Sequence, residues 1–258
     1  MSILERIILN KKKEIEISKS NISIKMIENS QFFENKIISL KKFLKEKSGV
    51  ISEFKRKSPS KPSINLNAEI SSTVLGYENA NSSAISILTD NLFFGGNKDD
   101  ILSVRKNISI PILRKDFIID EYQILESKSM GADVILLIAS CLSQTEVISL
   151  SSLSKSLGLE TILEIHSKEE LDLINDNIDV VGVNNRNLKL FKTDIRNSIY
   201  LSRYIPKGFM KISESGISSK NDIIKLKESG YDGFLIGENF MKKADPSLAC
   251  KDFISLIR

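Results

Sequence analysis

The chain has no tryptophan, one histidine and two cysteines among its 258 residues. Each scarcity removes a class of function. A single histidine, His166, excludes an HExxH site, a two-histidine metal site and a Cys/His zinc cluster. A Ser-His-Asp enzyme would have only that residue to use. Cys141 and Cys250 cannot build a disulfide framework, and a reducing compartment is the simple reading. Twelve glycines and five prolines exclude collagen-like and Pro-rich architectures. The longest apolar run, 134–139, is far too short to span a bilayer. The amino terminus carries charges too early and too often for a signal peptide. A soluble, cytoplasmic protein is expected.

What is present points to a packed enzyme-sized domain. Hydrophobic residues make up 41% and charged residues 27%, which excludes a disordered chain. The net charge of +4 comes from 37 Lys+Arg against 33 Asp+Glu, interleaved along the chain. So mild an excess suits an anionic small molecule as well as nucleic acid.

Residues 1–47 are helical in pattern and lack strand signals. Ile3, Ile7 and Ile8 recur at helical spacing, as do Leu40, Phe43 and Leu44. The pattern predicts that Ile3, Ile7 and Ile8 face the rest of the protein while Lys11, Lys12 and Lys13 face water. After Gly49 the texture changes. Strand candidates at 50–54, 84–89, 110–114, 133–139, 160–165, 180–183, 210–213 and 233–236 alternate with helical patterns. The helical patterns fall at 68–77, 99–105, 121–129, 144–156, 168–174, 195–202, 220–228 and 248–257. Alternation predicts an α/β fold with a parallel sheet. A doubly wound open sheet would also alternate. Eight units in a chain of this length fit a closed (β/α)8 TIM barrel better, as one domain over residues 1–258 with an additional N-terminal helical segment.

In such a barrel, catalytic groups sit at the carboxyl ends of strands. Period-two alternation places Glu53 and Lys55 on one face with Ile51. Lys115, Glu164, Asn184 and Glu214 end four further strands. If the barrel closes, all six converge on one mouth, and opposed carboxylates and ammoniums in a partly dry pocket suit acid–base chemistry. Ser215-Gly216 follows the seventh strand, and Gly237-Glu238 follows the eighth. Loops at these two places frequently bind phosphate, with Gly allowing close approach to free backbone N–H groups. His166, at what reads as a helix start, is expected to make a structural hydrogen bond. The two cysteines are expected to be inert.

The segment Glu53-Phe54-Lys55-Arg56-Lys57-Ser58-Pro59-Ser60-Lys61 resembles the signature of indole-3-glycerol-phosphate synthases. So do Phe93-Phe94-Gly95-Gly96, Leu113-Arg114-Lys115-Asp116-Phe117-Ile118-Ile119-Asp120, Gly131-Ala132-Asp133-Val134-Ile135-Leu136-Leu137-Ile138, Val183-Asn184-Asn185-Arg186-Asn187-Leu188 and Ser213-Glu214-Ser215-Gly216-Ile217. The resemblance spans essentially the whole chain and is to the monofunctional form. It departs at Pro62, where Gly is usual, which implies a stiffer first loop.

The resemblance implies a carboxy-lyase of tryptophan biosynthesis. Its substrate would be 1-(2-carboxyphenylamino)-1-deoxyribulose 5-phosphate, and its products indole-3-glycerol phosphate, carbon dioxide and water, with no cofactor or metal. By resemblance Lys115 is the first general acid and Glu164 serves the dehydration. Lys55 is a further candidate for these duties, and the split stays open. Glu53 and Asn184 hold substrate and orient the lysines, and Glu214 and Ser215 belong to the pocket. Phe94 and Phe117 are candidates to pack the anthranilate ring, with core packing as the alternative. Arg186 contacts the sugar or carboxylate side, or braces its loop. Ser58, Gly216, Gly237 and the N–H of Glu238, by its backbone alone, take the phosphate. The expected partner is an anionic small molecule rather than nucleic acid or membrane, bound by a monomer or weak homodimer. The leader is expected over the mouth beside Lys57–Lys61, the alternative being a plug at the opposite end. Two other functions compete. Phosphoribosylanthranilate isomerase, a related barrel, builds on a Cys and an Asp where strand one here offers Glu53 and Lys55. A catalytically dead binding barrel would not need both lysines and both glutamates.

Overall fold

The computed structural model describes residues 1–187 and 192–257. Leu188, the last residue of one motif quoted above, lies outside them. The strands are β1 (Val50–Phe54), β2 (Ala84–Leu88), β3 (Ile112–Lys115), β4 (Val134–Ile138), β5 (Glu160–Ile165), β6 (Val180–Asn184), β7 (Met210–Glu214) and β8 (Gly233–Ile236). All neighbours pair parallel, in the order β1 to β8, and β8 returns to β1 to close a TIM barrel. The helices, in chain order, are α1 (Ile3–Asn21), α2 (Ile24–Glu28), α3 (Leu40–Glu46), α4 (Ile70–Asn79), α5 (Asn91–Phe94) and α6 (Lys98–Val104). They continue as α7 (Glu121–Met130), α8 (Gln144–Ser156), α9 (Arg196–Leu201), α10 (Lys220–Glu228), α11 (Glu238–Met241) and α12 (Pro246–Ile257). The segment expected as a helix at 168–174 is instead a 3-10 turn, Glu169–Leu173. Its turns close by i→i+3 bonds, from the Leu171 N–H to the Lys168 carbonyl at 3.2 Å and from the Ile174 N–H to the Leu171 carbonyl at 3.1 Å. Among the described residues no helix is long and apolar enough to cross a membrane.

Side-chain alternation divides the core in two. Outward residues such as Val50, Phe54, Ile85, Ile87, Ile112 and Leu163 pack under the helices. Inward residues Ile51, Ala84, Leu113, Val134, Leu136, Ile162, Val180, Ile212 and Leu235 fill the barrel. Continuing the rows of Ile51, Leu113, Ile162 and Ile212 by two residues gives Glu53, Lys115, Glu164 and Glu214. The apolar filling therefore forms the floor on which the polar groups stand.

The leader does two jobs, where one was expected. The first turn of α1 lies at the carboxyl-end mouth, where Ile3, Leu4 and Ile7 face the cavity beside Ser58, Pro59 and Ser60. Helix α3 closes the other end. Its Leu40 and Leu44 join the inner barrel cluster, and Ser39 Oγ donates to Glu160 Oε1 at the start of β5, 2.6 Å away. The α1 stripe also differs from the expected one: Lys11 is buried and Ile8 only half so, while Lys12 and Lys13 are exposed.

Candidate active site

The mouth holds a cavity of about 390 Å³. Every residue singled out above as catalytic or substrate-binding lines it: Glu53, Lys55, Ser58, Phe94, Lys115, Phe117, Glu164, Asn184, Arg186, Glu214, Ser215, Gly216, Gly237 and Glu238. Parallel register levels their strand ends, since Leu88 pairs with Lys115, Ile138 with Glu164, and Asn184 with Glu214.

At the centre stands Lys115. Its ammonium lies 2.8 Å from Glu164 Oε2 and 2.5 Å from Glu214 Oε2. Burial opposes the charge on Lys115, but Glu164, Glu214 and Glu53 outweigh it and raise its pKa. Burial pushes Glu164 up, yet Lys115 and His166 hold it at about 2, with help from the Asn184 amide. The Asn184 Oδ1 accepts from the backbone N–H of Arg186 (2.9 Å), which leaves its amide nitrogen for Glu164. Glu214 goes the other way: burial and the Glu164 charge push it up to about 7 despite Lys115. A second pair, Lys55 Nζ to Glu53 Oε1 at 2.5 Å, stands on β1.

The loops after β7 and β8 are both constrained. Ser215 and Gly216 both take left-handed conformations, φ 68° and 78°. Left-handed backbone is costly for a serine. The Asn185 amide braces it, donating to the Ser215 carbonyl at 3.0 Å. At Gly237 the constraint is space, because a Cβ there would lie 2.3 Å from Glu53 Oε1. The glycine thus makes room for a carboxylate as well as for any ligand.

The Glu238 side chain pairs with Lys61 Nζ at 2.5 Å and faces Arg186 NH2 at 3.7 Å. Two expectations need correction. Among the described residues the His166 ring makes no hydrogen bond: its nitrogens lie 3.6 Å from Glu164 Oε1 and 3.8 Å from Glu170 Oε2. Its backbone does bond: the N–H donates to Glu170 Oε2 at 2.6 Å and the carbonyl accepts from the Asn197 amide at 3.2 Å. Lys11, expected in water, is buried against Asp90 and Asp116. Sequence reasoning also passed over Lys242, which lines the cavity. It follows Glu238 by four residues, a helical spacing that brings both to one side of α11.

The family model described as "Indole-3-glycerol phosphate synthase" matches residues 4–253. A protein of that name from Bacteroides thetaiotaomicron is 45% identical over 257 residues, covering 99% of both chains. Another, from Thermoanaerobacter pseudethanolicus, is 41% identical and covers 98% of this chain and 97% of its own. Among solved structures, 3-hexulose-6-phosphate synthase from Salmonella typhimurium superposes with a TM-score of 0.65 at 12% identity, covering 81% of this chain and 98% of that one. Tryptophan synthase subunit alpha from Legionella pneumophila gives 0.60 at 16%, covering 84% and 96%. At such identities the structures speak for the barrel alone.

Proposed function

This chain belongs to the indole-3-glycerol phosphate synthase family, and from that premise we propose which side chains carry its reaction. The enzyme is a carboxy-lyase of tryptophan biosynthesis. It closes the indole ring of 1-(2-carboxyphenylamino)-1-deoxyribulose 5-phosphate, losing carbon dioxide and water.

The aryl carbon bearing the carboxylate attacks the ketone, and the ketone oxygen gathers negative charge. Lys115 donates the proton that makes it a hydroxyl. The flanking carboxylates keep Lys115 an ammonium, and an alkoxide-like oxygen is basic enough to take a proton even from a strongly held one. Decarboxylation then restores aromaticity. Glu164, held ionised, removes the proton whose loss forms the pyrrole double bond. Lys55, held on Glu53, is the second ammonium available to the departing hydroxyl. Glu53, Asn184 and Glu214 orient these groups, and Ser215 shapes the turn beside them. Phe94 and Phe117, with ring centroids 6.0 Å apart, form the wall for the anthranilate ring. Ser58, Gly216, Gly237 and the Glu238 N–H receive the phosphate, with Arg186 on the sugar side. The free thiols of Cys141 and Cys250 favour a cytoplasmic setting, and a monomer suffices because one barrel supplies all these groups.

The observation that carries this reading is the Lys115 ammonium held between two carboxylates on the cavity floor. Single-turnover measurement of carbon dioxide release beside indole fluorescence tests it. Glu164→Gln should release carbon dioxide at close to the normal rate while indole forms slowly. Lys115→Ala should lose both, on the order of 10²–10⁴-fold. Equal loss of both signals in Glu164→Gln, or near-normal turnover in Lys115→Ala, would overturn the assignment.

A further inference from the structure

Lys11, Lys12 and Lys13 are adjacent on α1, and helical geometry lets only part of such a run face inward. Lys11 does, four residues from Ile7 and four from Ile15, so the buried stripe of α1 reads Ile7, Lys11, Ile15. An ammonium in an apolar stripe is costly unless paired. This one meets Glu14 Oε2 at 2.6 Å, Asp116 Oδ1 at 2.9 Å and Asp90 Oδ2 at 3.1 Å.

Asp116 lines the cavity, and Asp90 stands at the start of the short helix whose Phe94 lines it. Asp90 caps α5, its Oδ1 accepting from the Phe93 N–H at 2.8 Å, and α5 carries Phe94. Its other oxygen, Oδ2, has no hydrogen bond among the described residues, so Lys11 is its charge partner. Asp116 stands in the chain between Lys115 and Phe117. Its Oδ2 is already engaged by Thr89 Oγ1 at 2.6 Å and Arg114 NH2 at 3.2 Å. One ammonium from the leader therefore ties the Phe94 turn to the Phe117 strand end, and it does so one turn from Ile7, which faces the same cavity. Packing alone would be served by a methionine at this place.

We propose that Lys11 is a positioning residue for the aryl end of the substrate: it latches the leader helix to Asp90 and Asp116 and so sets the spacing of Phe94, Phe117 and the Ile3–Ile7 face. It touches neither substrate nor reacting atoms. The inference rests on the assignment of Phe94 and Phe117 to the anthranilate ring.

The full-length enzyme carrying Lys11→Met, which keeps the stem and removes the charge, is compared with Lys11→Arg, which keeps the charge. In Lys11→Met the KM rises roughly tenfold or more while kcat falls far less, as for a loss of binding geometry away from the chemistry. Lys11→Arg recovers most of that loss. Competitive inhibition by inorganic phosphate, a probe of the opposite end of the cavity, stays unchanged throughout. A folded Lys11→Met enzyme with wild-type KM overturns the proposal. So does one in which phosphate inhibition weakens as much as KM rises, since Lys11 would then hold up the whole mouth. Should Lys11→Met fail to fold, Asp90→Asn is read by the same criteria; it keeps an oxygen for the Phe93 cap and removes the charge facing Lys11. Phe94→Ala separates the latch from the reading beneath it. Raised KM in Phe94→Ala with unchanged KM in Lys11→Met overturns the latch alone, and unchanged KM in both overturns the aryl wall as well.

Discussion

Glu164 and Glu214 flank a single ammonium, and their charges repel across it. The site resolves the conflict by leaving Glu164 ionised and letting Glu214 hold a proton up to about pH 7. The two acids therefore act on stability with opposite signs. Glu214 ordinarily titrates near 4.5. Between about 4.5 and 7 the folded chain keeps a proton that the unfolded chain has released. Its contribution is full below 4.5 and is lost as pH rises through 7. Glu164, lowered from 4.5 to about 2, contributes fully above 4.5 and loses that contribution as pH falls toward 2. Glu214→Gln removes only the first effect. Urea unfolding at pH 5 and pH 8 should then show the wild type losing stability relative to the variant at the higher pH. A difference that stays constant between the two pH values, or that moves in the wild type's favour as pH rises, would remove Glu214 as the proton-holding group. Alternation made the placement of both glutamates legible in the sequence, because Ile162 and Ile212 face the barrel two residues before them. The opposition of their charges was not legible, because it depends on cross-barrel distance. Nor was the room Glu214 needs: a Cβ at Gly182 would lie 2.5 Å from its Oε1.

Helical spacing in the leader says that a face is buried, never against which end of a barrel. Ile3 and Ile7 share that spacing with Leu40 and Leu44, yet the first pair lines the mouth and the second fills the floor. The two helices should separate cleanly by mutation. Leu44 is almost fully buried, at 4% exposure, and Leu44→Ala should cost about 2–5 kcal/mol of stability with KM unchanged. The paired change Ile3→Ser and Leu4→Ser, at half-exposed positions, should raise KM with little effect on melting. Reversed outcomes in the melting and KM measurements would exchange the roles of α1 and α3. The strands were far more legible, as their ends fall within one or two residues of the apolar runs. A buried parallel strand has no solvent face, so its run of Val, Ile and Leu stops only where the chain leaves the sheet. Charge on a buried stripe was the blind spot: Lys11 sits at core spacing, and its partners Asp90 and Asp116 lie some 80 to 105 positions along the chain.

At the scale of the molecule, the question is whether leader and barrel form one cooperative unit. The bonds between them fall on several strand starts at once. The Ile38 N–H donates to Asp133 Oδ1 at 2.7 Å, just before β4. Ser39 and the Lys41 N–H both reach Glu160 at the start of β5. The Lys41 ammonium pairs with Asp179, just before β6, at 2.6 Å. Asp133 also receives Arg105 at 2.6 Å and the Ile112 N–H at 2.8 Å, so it binds the leader to β3 and β4 together. With Leu40 and Leu44 seated in the inner core, opening α3 would expose the barrel floor and take partners from Asp133, Glu160 and Asp179 at once, which couples the leader to the strands. We therefore expect residues 1–258 to unfold as a single domain. Calorimetric and van't Hoff enthalpies should agree, and amides of Leu40–Glu46 should exchange as slowly as those of β1 to β8. Leu44→Ala should lower one transition without splitting it. A leader transition that precedes barrel unfolding, or fast exchange confined to α3, would make the leader a separately folding attachment.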